Sequence, residues 1–407
     1  MATSPNTKKD TAIRRGDLPL YKLIILGLQH TFTMFGATVL VPILTGLNIS
    51  VALFTAGIGT WFFHFVTGMK MPVFLGSSFA YIAPIILVAQ EYGGIAYATG
   101  GLVIAGLMYL LLAVAVYFVG PKLIYSYFPP IVTGPIIMVI GLNLAPTAVD
   151  MAKDNWLLAG ICLATVIVVS IFAKGFLKVL PVLSGLIVGY IAAVAMGMVD
   201  FTPVAEAAWF GLPPFILPKF SGAAISIVAP VAIASMVEHI GDVLAVSATV
   251  GEDFVSDPGL HRTLLGDGVA TSLAAMVGGP ANTTYSENTG VLALTKVFDP
   301  WVMRIAACFA IVLSMIPKLG AVISTIPGPV IGGISVVLFG MIASIGIRTV
   351  VENKVDFSLN RNLIIGAVIL VFGIGGAVFD FKIFQLAGMA LGAIVGIILN
   401  KVLPEDK

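Results

Sequence analysis

Charged side chains are scarce in this chain, and their scarcity excludes a water-soluble fold. Asp, Glu, Lys and Arg make up 10% of the 407 residues, whereas soluble domains carry about 25%. Apolar residues make up 59%, and the mean hydropathy is +1.08. We therefore expect an integral membrane protein.

The sequence also lacks features that other functions need. The formal net charge is only +1, so nucleic acid is not an expected partner. Both cysteines, Cys162 and Cys308, lie in apolar runs, where a thiol usually packs as a small hydrophobic group. No nucleophile-base set and no cluster of metal ligands is recognisable. An enzyme, a metal site and a bound cofactor are therefore not expected.

Hydropathy predicts an all-α fold with about fourteen transmembrane segments, since a bilayer core about 30 Å thick takes about 20 apolar residues per helix. With the N-terminus inside, 17 of the 21 Lys and Arg residues fall on cytoplasmic segments. The four exceptions are Lys153, Lys219, Lys318 and Lys382. The positive-inside rule therefore predicts that both termini are cytoplasmic.

Short patterns recur about 200 residues apart, as in transporters built from internal repeats. The matching pairs are Pro129-Pro130-x3-Gly134-x6-Gly141 with Gly328-Pro329-x3-Gly333-x6-Gly340, Gly76-Ser77-Ser78-Phe79 with Asn282-Thr283-Thr284-Tyr285, and Gln29-His30 with Glu238-His239. Seven spans per repeat is an odd number, so the second repeat enters the membrane from the opposite side. The prediction is a 7+7 inverted repeat.

In inverted-repeat transporters the substrate site lies near the midplane, where helices are interrupted. Two short segments in matching positions, Gly76–Tyr81 and Asn282–Asn288, are rich in Gly, Ser, Thr and Asn. We predict that they are the two broken segments, each a short strand followed by a half-helix.

Few ionisable residues lie inside the predicted spans. A charged side chain at the bilayer centre costs at least about 2.5 kcal/mol, so these residues are functional candidates. Glu238 and Asp242 are spaced i, i+4 and should share one helix face, and Gly241 between them should let a neighbouring backbone approach. Glu287 is the third carboxylate, with His30 and His239 nearby in the pattern. A buried structural pair is the alternative interpretation of Glu238 and Asp242.

The polar stretch that contains Glu287 suits a planar heterocycle with alternating N–H and C=O groups. A carboxyl group can pair with such an edge, and Phe79 and Tyr285 can cover the ring face. Backbone N–H groups freed at a helix break can reach the ring carbonyls.

The run Glu287-Asn288-Thr289-Gly290-Val291-Leu292-Ala293-Leu294-Thr295-Lys296 matches the signature [Gln/Glu/Pro]-Asn-x-Gly-x4-Thr-[Arg/Lys/Gly] of the nucleobase-ascorbate transporter family. Gln29-His30 resembles the Gln-His motif of that family. The motif positions are thus Gln29, Asn288, Gly290 and Thr295. The resemblance covers the whole chain and is to the bacterial uracil permeases within the family.

The resemblance implies that Glu238 and Glu287 hydrogen-bond the pyrimidine edge. It also implies that Phe79 and Ser286 offer backbone N–H groups, and that Ala37, Ser78 and Tyr285 belong to the substrate pocket. Two positions depart from the pattern. Asp242 stands where uracil permeases have His, and Ser286 stands where Gly is frequent.

The resemblance further implies a homodimer in the bacterial inner membrane that works by alternating access. The expected domains are a cytoplasmic tail (1–19), a core domain (20–120 with spans 1–4, and 222–318 with spans 8–11), an extracytoplasmic loop (201–221) and a gate domain (121–200 with spans 5–7, and 319–403 with spans 12–14).

The expected function is proton-coupled import of a nucleobase, with uracil first. Asp242 is the leading candidate for the coupling proton, Glu238 and Glu287 are the other acidic candidates, and His30 or His239 would assist. A purine (xanthine or urate) permease of the same family and an anion exchanger of the same architecture remain alternatives. Proton or sodium coupling is left open.

Overall fold

The computed structural model describes residues 18–120, 126–380 and 385–404. Most of the predicted N-terminal tail (1–17), Lys122 and Lys382 lie outside the described residues. The helices are α1 (Leu20–Thr45), α2 (Ile49–Val66), α3 (Ile82–Glu91), α4 (Ile95–Val119), α5 (Pro130–Asn143), α6 (Ala145–Ala152), α7 (Trp156–Phe172), α8 (Pro181–Ala195), α9 (Thr202–Glu206), α10 (Gly222–Val228), α11 (Ala232–Val250), α12 (Leu260–Met276), α13 (Ser286–Thr295), α14 (Trp301–Ser314), α15 (Pro317–Ser324), α16 (Gly328–Glu352), α17 (Asn360–Ile374) and α18 (Gly388–Val402).

Within these ranges, six helical segments are long and apolar enough to cross a membrane: Leu20–Thr45, Ile49–Val66, Ile95–Val119, Pro130–Phe172, Gly222–Val250 and Gly328–Glu352. Helices α14 and α15 form a pair bent by 82° that would add a seventh span. Four shorter apolar helices are Phe79–Glu91, Pro181–Ala195, Asn360–Ile374 and Gly388–Val402. The chain is a multi-pass membrane protein, as its composition predicts.

Helix ends are marked by residues that satisfy the terminal backbone groups. Asn48 precedes α2, and its side chain accepts a hydrogen bond from the Val51 N–H at 3.1 Å, which is typical of an N-cap. Gly251 ends α11 with φ of 79°, a left-handed conformation that favours glycine. Both signals are readable in the sequence.

Two short strands interrupt the helical pattern at the predicted places. Strands β1 (Leu75–Ser77) and β2 (Asn282–Thr284) pair antiparallel, with Gly76 opposite Thr283. A 3₁₀ turn and α3 follow β1, and α13 follows β2. The pairing gives hydrogen-bond partners to backbone N–H and C=O groups that have none within a helix, as a membrane interior requires. A second antiparallel pair, β3 (Val378–Asp380) and β4 (Gln385–Ala387), lies near the C-terminus.

The crossing of β1 and β2 is held by Tyr285, directly after β2. A Cβ atom on Gly76 would overlap the Tyr285 ring, so only glycine allows this approach. The Tyr285 hydroxyl donates to the Ser77 carbonyl at 3.1 Å and accepts from Thr38 Oγ1 at 3.3 Å. These hydrogen bonds connect β1 and the residue after β2 to α1, which carries Thr38.

The helices pack as two groups, with α11 between them. The first group contains α1, α2, α4, α12 and α14, and the second contains α5, α7, α8, α16, α17 and α18. Helix α11 contacts α4, α12 and α13 on one side and α5 and α18 on the other. In the second group, the backbones of α5 and α16 approach closely at Gly134, Gly141 and Gly346, as small residues permit.

Candidate substrate site

A cavity of about 710 Å³ opens between the two groups of helices. This volume lies within the range of about 300–1,000 Å³ that is usual for small-molecule sites. Its walls come from Phe79, from α11 and from the β2–α13 junction on one side, and from the start of α5 and the C-terminal end of α16 on the other.

Helix α11 contributes a stripe of residues one turn apart. Glu238, Asp242, Ala245 and Ala248 line the cavity, as the i, i+4 spacing of the two carboxylates predicts for one face. Gly241 belongs to the same stripe, and a Cβ there would meet no described atom within 4 Å. The expectation that Gly241 admits a neighbouring backbone was therefore wrong, because Gly241 faces open space in the cavity.

The β2–α13 junction forms the adjacent wall with Thr283, Thr284, Tyr285, Ser286 and Glu287. Helix α13 begins at Ser286, and no side chain caps it. The first N–H groups of a helix have no partner within the helix. This wall therefore presents the Glu287 carboxyl group beside backbone donors.

Two hydroxyl groups of this wall hold the Asp242 carboxylate. Ser286 Oγ donates to Oδ1 at 2.7 Å, and Thr284 Oγ1 donates to Oδ2 at 2.6 Å. Both carboxylate oxygens thus have a partner, and α11 is joined to the β2–α13 junction. The two positions that depart from the family pattern, Asp242 and Ser286, are in direct contact.

Among the other predicted pocket residues, Phe79 lines the cavity and meets the Phe339 ring edge-on, with centroids 6.2 Å apart. Tyr285 lies in the wall, although only 3% of its surface is exposed. Ala37 and Ser78 are buried and lie outside the cavity lining. The Ser78 N–H instead donates to the Ala281 carbonyl at 2.9 Å.

The motif residues lie behind the cavity rather than in its wall. Asn288 Nδ2 approaches His30 Nδ1 at 3.0 Å and donates to the His30 carbonyl at 3.3 Å. The Thr295 hydroxyl donates to the Val291 carbonyl of its own helix at 2.9 Å. Of the other two motif residues, Gly290 is exposed and Gln29 is half-buried. His30 and Asn288 therefore link α1 to α13.

His239 points away from the cavity, towards a residue that the sequence analysis missed. Its Nδ1 lies 3.2 Å from Oδ2 of Asp267, and both side chains are fully buried. Nearby, the Tyr109 hydroxyl donates to Ser235 Oγ at 2.7 Å. Asp267 was detectable as a single acidic residue within an otherwise apolar span, the pattern that singles out functional candidates.

In the part of the chain that the structure describes, no group of three or more His, Cys, Asp or Glu side chains could hold a metal ion. The side chains of the cavity wall can form hydrogen bonds and exchange protons. Glu238, Asp242 and Glu287 supply carboxyl groups around a cavity large enough for a small heterocycle.

An acidic cavity between two helical groups, beside a pair of broken segments, is typical of a secondary transporter. Residues 21–381 match the model of the Permease family that covers xanthine and uracil permeases, so the chain belongs to the nucleobase-ascorbate transporter family. This confirms the resemblance seen in the sequence. The chain is a transporter rather than an enzyme.

Curated relatives of similar length support this assignment. Each alignment covers nearly the whole chain. The uracil permease of Bacillus caldolyticus is 48% identical over 397 residues (94% of this chain, 92% of the relative). That of Bacillus subtilis is 46% identical over 424 aligned positions (98% and 97%). That of Escherichia coli K12 is 41% identical over 395 residues (94% and 92%).

Solved structures with the same fold are more distant in sequence. The transmembrane domain of the cyanobacterial bicarbonate transporter BicA superimposes with a TM-score of 0.61 at 16% identity, covering 95% of this chain and 99% of that one. Murine Slc26a9, an anion transporter in its inward-facing state, gives 0.71 at 10% identity, covering 94% and 68%. These similarities show the fold alone.

Proposed function

We propose that the chain imports uracil together with a proton across a bacterial inner membrane. The observation that carries the proposal is that Glu238, Glu287 and Phe79 line one cavity at the crossing of β1 and β2. The uracil permeases that are 41–48% identical over nearly the whole chain support uracil as the substrate.

The chemistry of the cavity is complementary to uracil. The ring N–H groups of uracil can donate to the carboxyl oxygens of Glu238 and Glu287, and hydrogen bonds to ionised acceptors are the stronger kind. Its carbonyl oxygens can accept from backbone N–H groups at the start of α13. The Phe79 ring can cover one face of the pyrimidine.

Fourteen segments account for the described helices apart from the five-residue helix α9, which supports the 7+7 proposal. Each broken segment, β1–α3 and β2–α13, counts once, as do α5–α6, α10–α11 and the bent pair α14–α15, while α1, α2, α4, α7, α8, α12, α16, α17 and α18 stand alone. With the orientation derived from the basic residues, Arg348 at the end of α16 is cytoplasmic. Arg348 lies at the mouth of the cavity, so the proposed state faces inward.

The cavity between two packed groups supports alternating access. We assign the first group to the core domain (20–120 and 222–318) and the second to the gate domain (121–200 and 319–403), with the dimer as part of the same proposal. Movement of one domain against the other would close the cavity at Arg348 and open it on the opposite side.

Proton coupling would act through the carboxyl groups. Moving several negative charges across an apolar barrier is costly, and protonation of one carboxylate lowers that cost. Asp242 is the proposed proton carrier because it lies in the cavity wall beside Ser286, one turn from Glu238. Glu238 and Glu287 remain available to hold the substrate.

Thermal stability of the purified protein with uracil, thymine, xanthine or urate tests the proposal. A ligand at 100 times its Kd stabilises the folded state by about 2.7 kcal/mol. We expect uracil to raise Tm, and Glu287→Gln to lose that rise while keeping the Tm of the unliganded protein. Glu206→Gln, on the exposed helix α9, is the matched control and should respond like the wild type.

Stabilisation by xanthine or urate instead of uracil would establish a purine carrier. A Glu287→Gln variant that still responds fully to uracil would remove Glu287 from the site.

A further inference from the structure

The contact between Asp242 and Ser286 joins two elements that are distant in sequence. Ser286 Oγ donates to Asp242 Oδ1 at 2.7 Å across a separation of 44 residues, and Thr284 Oγ1 donates to Oδ2 at 2.6 Å. In this arrangement Asp242 is an acceptor on both oxygens, which is the role of an ionised carboxylate.

Protonation changes what Asp242 can do. A protonated carboxyl group carries one O–H donor, which needs an acceptor. A hydroxyl group can be that acceptor, because it both donates and accepts and its hydrogen can rotate. One of the two hydrogen bonds would then reverse its direction, and that hydroxyl would be left with a hydrogen free to donate elsewhere.

The two hydroxyl residues differ in their access to the cavity. Thr284 is 3% exposed, whereas Ser286 is partly exposed in the cavity wall. Ser286 is also adjacent to Glu287, which the proposed function places on the substrate. When the Ser286 hydroxyl no longer donates to Asp242, it can therefore donate to a ligand in the cavity.

We propose that Ser286 is a proton-controlled positioning residue. Its hydroxyl donates to Asp242 while Asp242 is ionised, and it turns to donate to a carbonyl oxygen of the bound nucleobase when Asp242 takes up a proton. The proposal rests on the proposed uracil transport and adds the route by which proton binding strengthens substrate binding.

Other ionisable groups lie on the elements packed around this site. Glu238 and His239 lie on α11 itself, Glu287 lies on α13, Asp267 on α12 approaches His239, and Arg348 with Glu352 lies at the mouth of the cavity on α16. Variants at Ser286 leave all of these groups in place. A change in the pH dependence of such a variant therefore reports on the Ser286 hydroxyl.

The test is uracil affinity of the purified full-length protein between pH 5 and pH 8. One neutral hydrogen bond changes affinity by about 2- to 12-fold, so the wild type should bind more tightly at pH 5 by about that factor. Ser286→Ala and Ser286→Gly should bind with little dependence on pH, at the weaker level that the wild type shows at pH 8. Glycine is frequent at this position in the family, so the fold should tolerate it.

Ser286→Thr keeps the hydroxyl group and should restore the pH dependence. Thr249→Ala on α11 removes a hydroxyl that donates to the Ala245 carbonyl of its own helix, and it should behave like the wild type. Equal pH dependence in the wild type, Ser286→Ala and Ser286→Gly would overturn the inference but leave uracil binding standing. A wild type that binds no uracil at either pH would overturn both the inference and the proposed function.

Discussion

The crossing of β1 and β2 makes Gly76 sensitive to substitution by any larger residue. In Gly76→Ala the new Cβ would overlap the Tyr285 ring and lie 2.7 Å from its hydroxyl oxygen, closer than packed atoms tolerate. The backbone of β1 cannot easily retreat, because it pairs with β2 and Thr60 Oγ1 accepts from the Leu75 N–H at 2.9 Å. The Tyr285 ring must therefore move.

The size of the effect follows from the contacts that the ring would lose. The Tyr285 hydroxyl makes two hydrogen bonds, to the Ser77 carbonyl and with Thr38, and each contributes about 0.5–1.5 kcal/mol. Loss of both lowers the free energy of unfolding by about 1–3 kcal/mol. Tyr285 also forms part of the cavity wall, so uracil affinity should fall with stability.

Thermal unfolding and uracil binding of the purified variants measure both effects. Tyr285→Phe removes the hydroxyl but keeps the ring, so it should lose similar stability and retain more of the affinity. Gly340→Ala on α16 is the matched control, since its Cβ would meet no described atom within 4 Å. A Gly76→Ala protein with wild-type stability and wild-type affinity would refute the reasoning.

Two further predictions concern polar contacts behind the cavity. Asp267→Asn removes the carboxylate that faces His239 in the interior and should destabilise the fold by about 1–3 kcal/mol, measured as a lower Tm. The control Asp150→Asn, in an exposed pair with Lys153, should leave Tm unchanged, and equal effects would contradict the prediction. Asn288→Ala removes both contacts with His30 and should lower stability by about 1–3 kcal/mol without changing the uracil Kd of the folded protein, because Asn288 does not line the cavity. The control is Asn362→Ala, which loses one exposed hydrogen bond to the Asp356 carbonyl. A large loss of uracil affinity in Asn288→Ala would contradict the prediction and place Asn288 in the site.

Much of this architecture could be predicted because the bilayer imposes strong rules on sequence. Long apolar runs must be helices that satisfy their own backbone groups, and both polar interruptions, around Gly76 and Asn282, are the places where the structure has strands. The i, i+4 spacing of Glu238 and Asp242 likewise predicted a shared face, because helix geometry is local.

Contacts between distant segments could not be predicted in this way. Gly241 was expected against a backbone and faces open space, and His239 was expected near the proton path but faces Asp267. Spacing gives the angle between residues on one helix, but it does not say which neighbour each face meets.

The sequence by itself determined the membrane environment, the two broken segments and the acidic residues, because hydropathy and helix periodicity are properties of a continuous stretch of chain. Only the tertiary structure decided that the Ser286 hydroxyl reaches Asp242, that Tyr285 packs on Gly76 and that Asn288 meets His30. These pairs are separated by more than forty residues. The packing of strands and helices brings them together, and no local pattern encodes that packing.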